Sequence, residues 1–134
     1  MKIMVTGSRG WKHKGLIHRL LTQLKPTMIV HGDCKQGADA MTDLIARRLR
    51  IPVRKYPAQW EKYGKSAGFI RNTEMIVREQ PDVVVAFWDG SSRGTEHAIK
   101  EAEKLGVTVM IATVDFAGQL HVKQIFPHAM LPLK

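Results

Sequence analysis

The sequence predicts an α/β fold, a mostly parallel five-stranded sheet with helices on both faces. Three observations carry this expectation. Short β-type runs alternate with segments whose apolar residues recur every three or four positions. Asp82–Trp88 is continuously apolar after Asp82, as expected of a strand covered on both sides. Glycines collect where strands hand over to helices. Strict alternation of strand and helix implies parallel pairing with crossover helices.

The elements follow in order. Lys2–Thr6 reads as the first strand. Leu16, Ile17, Leu20, Leu21 and Leu24 mark the first helix, which Pro26 ends. Thr27–His31 is the second strand. Ala38, Met41, Leu44, Ile45 and Leu49 mark the second helix, with Pro52 beyond it. Val53–Tyr56 is a short third strand. A polar and aromatic loop, Pro57–Lys65, leads to a third helix over Ser66–Glu79. Asp82–Trp88 is the fourth strand. Thr95–Leu105 is the fourth helix, closed by Gly106. Val107–Ala112 is the fifth strand. Residues 115–134, with Pro127 and Pro132, show no clear period and read as an extension that packs on the domain or is partly loose.

The 134 residues suit one domain, placed at 1–114, followed by that extension. An apolar fraction of 44% and a charged fraction of 25% exclude a disordered chain. A single thiol, Cys34, excludes an internal disulfide or a cysteine-based zinc site. Beside Lys35 and near a helix start, Cys34 is either an activated thiol or, more simply, an inert one. The apolar runs are far shorter than the roughly 20 residues a membrane helix needs. Lys2-Ile3-Met4-Val5 opens without a long apolar region, so the expected location is cytoplasmic. The six histidines are scattered, and no metal or cofactor is expected.

The net charge of +9 is uneven. Residues 1–72 hold 15 Lys+Arg and 4 Asp+Glu, a net of +11; residues 73–134 hold 6 and 8, a net of −2. An anionic partner met by the first half is one reading, and a soluble basic surface is the other. Arg47, Arg48, Arg50, Arg54 and Lys55 surround the end of the second helix, where cations suit the dipole or meet a nucleic-acid backbone.

The glycine loops carry the chemistry. In open α/β sheets, ligands bind outside the carboxyl ends of the strands. There lie Gly7-Ser8-Arg9-Gly10, the stretch His31-Gly32-Asp33 to Gly37-Ala38-Asp39, and Asp89-Gly90-Ser91-Ser92-Arg93-Gly94-Thr95. Each joins a strand to a helix start, where backbone N–H groups favour an anion. None has the dinucleotide or Walker spacing, so tight structural turns are the competing reading. Arg9 and Arg93 are candidate phosphate forks. Arg71, among Phe69, Ile70, Met75 and Ile76, needs an acceptor, with Asp89, Asp33 or a phosphate as candidates. Asp33 or Asp89 is expected on a ribose. Glu96 is either a catalytic carboxylate or a residue of the helix's first turn. Trp60 and Trp88 are candidates for stacking on a base, against ordinary core packing.

Taken in order, Val5-Thr6-Gly7-Ser8-Arg9, His31-Gly32-Asp33 with Gly37-Ala38-Asp39, Ala67-Gly68-Phe69-Ile70-Arg71-Asn72, and Asp89-Gly90-Ser91-Ser92-Arg93-Gly94-Thr95 resemble the SLOG superfamily. Within it they resemble the YspA-like, cpYpsA-related branch, over about residues 2–112. The resemblance implies a Rossmann-like domain that binds nucleotides or nucleotide-derived ligands, and a homodimer. Relatives include the lonely-guy phosphoribohydrolases, the DNA-processing protein of natural transformation, and sensor domains of conflict systems. By the same resemblance, Gly7, Ser8 and Arg9 match the first-strand loop, and Gly32 and Asp39 the second-strand motif. Arg71 and Asn72 match the arginine-containing helix motif; Gly90, Ser92, Gly94 and Thr95 match the fourth-strand phosphate loop. The hydrolases' Pro-Gly-Gly-x-Gly-Thr-x-x-Glu loop is not reproduced. Three residues after Thr95 stands Ala98, and Glu96 points about 200° away from that position on a helix. The hydrolases' Arg-Lys pair is Arg71-Asn72 here.

The expectation is therefore a sensing or sequestering module for a nucleotide-like small molecule. The ligand and its phosphate would be held by Gly7, Ser8, Arg9, Gly32, Asp33, Asp89, Gly90, Ser91, Ser92, Arg93, Gly94 and Thr95. The first alternative is an N-glycosidic hydrolase of nucleoside monophosphates, with Arg71 and Glu96 catalytic. The second is a single-stranded nucleic-acid binder.

Overall fold

A computed structural model describes residues 1–126. Its strands are β1 (Lys2–Gly7), β2 (Met28–His31), β3 (Val53–Lys55), β4 (Val83–Phe87), β5 (Thr108–Val114) and β6 (Leu120–Ile125). Its helices are α1 (Lys14–Leu24), α2 (Gly37–Arg48), α3 (Trp60–Tyr63), α4 (Ala67–Glu79) and α5 (Arg93–Lys104). The sheet order is β3-β2-β1-β4-β5-β6. All pairs are parallel except β5 with β6.

The two sides of each strand explain the two helical layers. Successive side chains alternate faces. Ile3, Val5, Ile29, Val83, Val85 and Phe87 point to one face, where Leu16, Ile17, Leu20 and Leu21 of α1 and Ala38, Ile45 and Ala46 of α2 cover them. Met4, Val30, Val84, Ala86 and Val109 point to the other, covered by Met75 and Ile76 of α4 and Ala98, Ile99 and Ala102 of α5. β4 is therefore apolar at every position, and all five of its residues are buried. The Rossmann-like α/β expectation is correct.

The strand count is six, not five. After β5 the chain turns at Asp115, whose Oδ1 accepts the N–H groups of Ala117 and Gln119. It returns antiparallel as β6, so the extension from residue 115 joins the sheet through residue 125. β6 is a half-exposed edge strand that lacks a clean apolar alternation, so periodicity missed it. The expected loop 57–65 also contains the short α3. Pro127 and Pro132 lie outside the described residues. No helix among the described residues is long and apolar enough to cross a membrane.

The chain winds β1-β2-β3 in one direction, then crosses to β4 and β5 on the other side of β1. Strand order thus reverses between β1 and β4. There two parallel strands diverge into loops that lead to opposite faces, leaving a crevice beyond Gly7 and Phe87.

Candidate functional site

A two-lobed cleft occupies that crevice. One lobe, about 380 Å³, lies over the switch point, between the loop after β1, the start of α4 and the loop after β4. The other, about 470 Å³, lies over the ends of β2 and β3. Arg9, Cys34, Trp60 and Arg71 line both and so form the waist. Each lobe falls within the few-hundred-Å³ range of small-molecule sites.

Arg71 is the best-fixed cation in the cleft. Its Nη1 donates to the carbonyls of Gly32 (2.6 Å) and Tyr56 (3.2 Å), and its Nε donates to Asn72 Oδ1 (3.0 Å). Nη2 has no protein acceptor among the described residues. The acceptors are thus two carbonyls and an amide, not Asp33 or Asp89. Gly32 makes this possible, because a Cβ there would overlap the guanidinium. Asn72 continues the chain of contacts: its Nδ2 donates to Gly94 O at 3.1 Å and meets His97 Nδ1 at 3.4 Å. It thereby ties α4 to the start of α5. His97 stacks on Phe69 with ring centroids 4.1 Å apart, and burial lowers its pKa against the raising influence of Glu101.

The loop that presents Gly32 is held from below. His31 is 1% exposed. Its Nδ1 accepts the Asp33 N–H (2.9 Å), so Nε2 carries the hydrogen and donates to Asp43 Oδ1 (2.9 Å). Asp33 takes a left-handed conformation, φ +58°, which a short polar side chain tolerates.

Three carboxyls border the cleft. Asp33 meets Lys35 Nζ at 3.2 Å and Lys55 Nζ at 3.9 Å. Asp89 folds onto its own loop: Oδ1 accepts the N–H groups of Ser91 (2.9 Å) and Ser92 (2.8 Å). Partial burial pushes the Asp89 pKa up, but these bonds outweigh it and hold the carboxyl below its usual range. Asp39, in the first turn of α2, is buried. Its Oδ2 accepts the Cys34 N–H at 3.3 Å, while Oδ1 has no partner among the described residues. Burial raises its pKa, against the lowering influence of His31 and Arg71. Burial and the Asp39 charge together raise the Cys34 pKa too, which removes the activated-thiol reading.

The structure brings together Gly7, Arg9, Gly32, Asp33, Trp60, Arg71, Asp89, Ser92, Gly94 and Thr95. It leaves out others. Ser8 is 1% exposed and supports the floor from beneath, its Oγ accepting the Asp89 N–H. Gly90, Ser91 and Arg93 are exposed and do not line either lobe. Glu96 lies outside the cleft and faces Lys100 at 3.8 Å, as expected of a solvated first-turn residue. Trp88 packs against the α4–α5 core and donates Nε1–H to Ser92 O, so it lines neither lobe. Trp60, in contrast, is 51% exposed at the waist. In the sequence Asp39 and Asn72 stand out only as motif matches and Cys34 only as a thiol beside a helix start, while Phe69 and Lys65, which also line the cleft, carry no signal. A signal for Asp39 existed: it lies three and seven positions before Thr42 and Ala46, on the buried stripe of α2.

No group of three or more His, Cys, Asp or Glu among the described residues is arranged to hold a metal ion.

The family model described as "YspA, cpYpsA-related SLOG family" matches residues 1–63, which include the loops after β1 and β2. Gene 61 protein of Mycobacterium phage D29 is 37% identical over 119 residues, covering 81% of this chain and 94% of that protein. With its cleft at the β1–β4 crossover and the first two of its glycine loops inside the matched segment, the chain belongs to the YspA, cpYpsA-related SLOG family.

Proposed function

We propose that the cleft binds a nucleotide or nucleotide-derived ligand, as a sensing or sequestering module. Membership of the family points to nucleotide-related binding or processing in general terms. The observation that carries the finer reading is Arg71: a guanidinium fixed at the waist by three acceptors, with Nη2 left over. Such a preorganised fork suits a phosphate oxygen. Arg9 adds a second cation from the β1 loop. The start of α5, entered through Ser92, Gly94 and Thr95, adds the positive end of a helix dipole. Trp60 offers an exposed ring against which a base stacks.

The hydrolase alternative loses Glu96, which lies outside the cleft. A homodimer, expected from the resemblance, would have the exposed Phe69, Ile70 and Val77 of α4 to bury.

The test is mass spectrometry of small molecules released by heat from the purified protein. It is paired with equilibrium dialysis of AMP, GMP, CMP and UMP. At least one nucleotide is expected to bind, and Arg71→Ala to weaken it roughly 10- to 150-fold, the worth of a charged hydrogen bond of about 1.5–3 kcal/mol. Release of free base during long incubation would turn the reading toward hydrolysis. Absence of binding to all four, with nothing co-purifying, would refute it.

A further inference from the structure

The three cleft carboxyls differ in what remains available on them. Asp89 Oδ1 already accepts two backbone N–H groups, and Asp33 faces two lysines. Asp39 is 4% exposed, yet its Oδ1 has no partner among the described residues. A buried acceptor without a donor is costly and rare, and calls for an explanation. Arg71 turns its Nε and Nη1 to Asn72, Gly32 and Tyr56 and makes no hydrogen bond to Asp39.

The position of Asp39 is also tightly imposed. Gly37 has φ +72°, and a Cβ there would overlap the Ser8 and Arg9 carbonyls. The Ala38 N–H donates to Ser8 O at 3.2 Å. These contacts press the start of α2 against the β1 loop and hold Asp39 in the floor of the switch-point lobe. An ionised carboxyl, which only accepts, is a poor neighbour for phosphate. It is a good one for a group that donates hydrogen.

We propose that Asp39 is a specificity-determining residue whose carboxylate, given only one protein donor, accepts a hydrogen bond from the ribose diol of the ligand. The inference rests on the nucleotide reading above and deepens it. Phosphate is held at the waist by Arg71 and Arg9, the base stacks on Trp60, and the sugar hydroxyls reach the floor at Asp39. The cleft then selects ribonucleotides over sugars lacking both hydroxyls, because the analogue leaves Asp39 unpaired.

The experiment measures binding of AMP, GMP, CMP, UMP and their 2′,3′-dideoxy counterparts to the wild-type chain and to Asp39→Ala and Asp39→Leu. Wild type is expected to prefer the ribonucleotide at least about tenfold, a conservative value for a hydrogen-bonded hydroxyl. Both variants are expected to bring the ratio within about twofold. Without ligand, Asp39→Asn is expected to melt no lower than wild type; a clear drop would make Asp39 a structural residue and overturn the proposal. So would a ratio near one in wild type, or a preference that survives in both variants. A changed ranking of the four bases with the ratio intact would assign Asp39 to a base amine instead. If none of the eight nucleotides binds, the nucleotide reading itself fails and this one with it.

Discussion

Glu79 and Asp39 are both buried carboxyls, and the fold treats them in opposite ways. Glu79, in the last turn of α4, is surrounded by donors. Its Oε1 accepts Lys2 Nζ (3.0 Å) and Arg54 Nη1 (2.9 Å), and its Oε2 accepts Tyr56 Oη (2.6 Å). Burial pushes its pKa up, but these partners outweigh burial and hold the carboxyl below its usual range. Tyr56 is raised in turn, chiefly by its hydrogen bond to Glu79. Asp39 receives one long bond and is raised by burial. A satisfied buried carboxyl fastens elements together, here β1, β3 and α4. An unsatisfied one stores unused bonding capacity, and in this fold it does so in the floor of a cleft.

Removing the satisfied carboxyl should have the largest effect. Glu79→Gln removes the counter-charge of Lys2 and Arg54, both partly solvated, and is expected to cost about 1.5 kcal/mol, the low end for a hydrogen bond to a charged group. Arg54 is half exposed, so the low end applies. Urea denaturation measures it. The pH dependence has a definite sign. Glu79 is depressed in the fold, so its contribution is complete above the ordinary carboxyl pKa of 4.5 and lost as pH falls through the lower folded value. The Gln variant should lack that acid-dependent portion. If Glu79→Gln proved neutral, the contrast between the two carboxyls would collapse.

An intermediate effect of opposite sign is expected at Asp39. Its pKa is raised in the fold, so its relative stabilisation is present below 3.8 and lost as pH rises through the folded value. Asp39→Asn removes that loss. Its melting temperature should match wild type near pH 3 and pull ahead by pH 7, because the amide brings no charge into the buried position. A gap that shrinks as pH rises would contradict the assignment. The smallest effect belongs to Glu96→Ala, which removes one exposed i,i+4 pair at 3.8 Å. A change within about 0.5 kcal/mol, with nucleotide binding intact, is expected from denaturation and dialysis.

Much of this was legible from the sequence. Runs such as Val83–Phe87 and stripes such as Leu16–Leu24 encode burial directly, so five strands and four helices follow from periodicity alone. β6 does not, because its pairing depends on the Asp115 turn and its exposed face carries no apolar signal. The glycine loops located the cleft through chain topology. They did not reveal which side chains had lone pairs to spare. Asp33, Asp39 and Asp89 look alike in a sequence, and only their partners tell them apart. Trp60 and Trp88 differ in the same way: one lies in an open loop, and the other ends a strand whose flank α5 covers.

The contact between Gly32 and Arg71 has a consequence for substitution at position 32. The guanidinium fills the volume a side chain at position 32 would occupy, so α4 lends the β2 loop a side chain the loop does not encode. The two positions, 39 residues apart, meet in one volume. A side chain at 32 would push the guanidinium off the Gly32 and Tyr56 carbonyls, so filling that volume from the loop costs the waist its fixed cation.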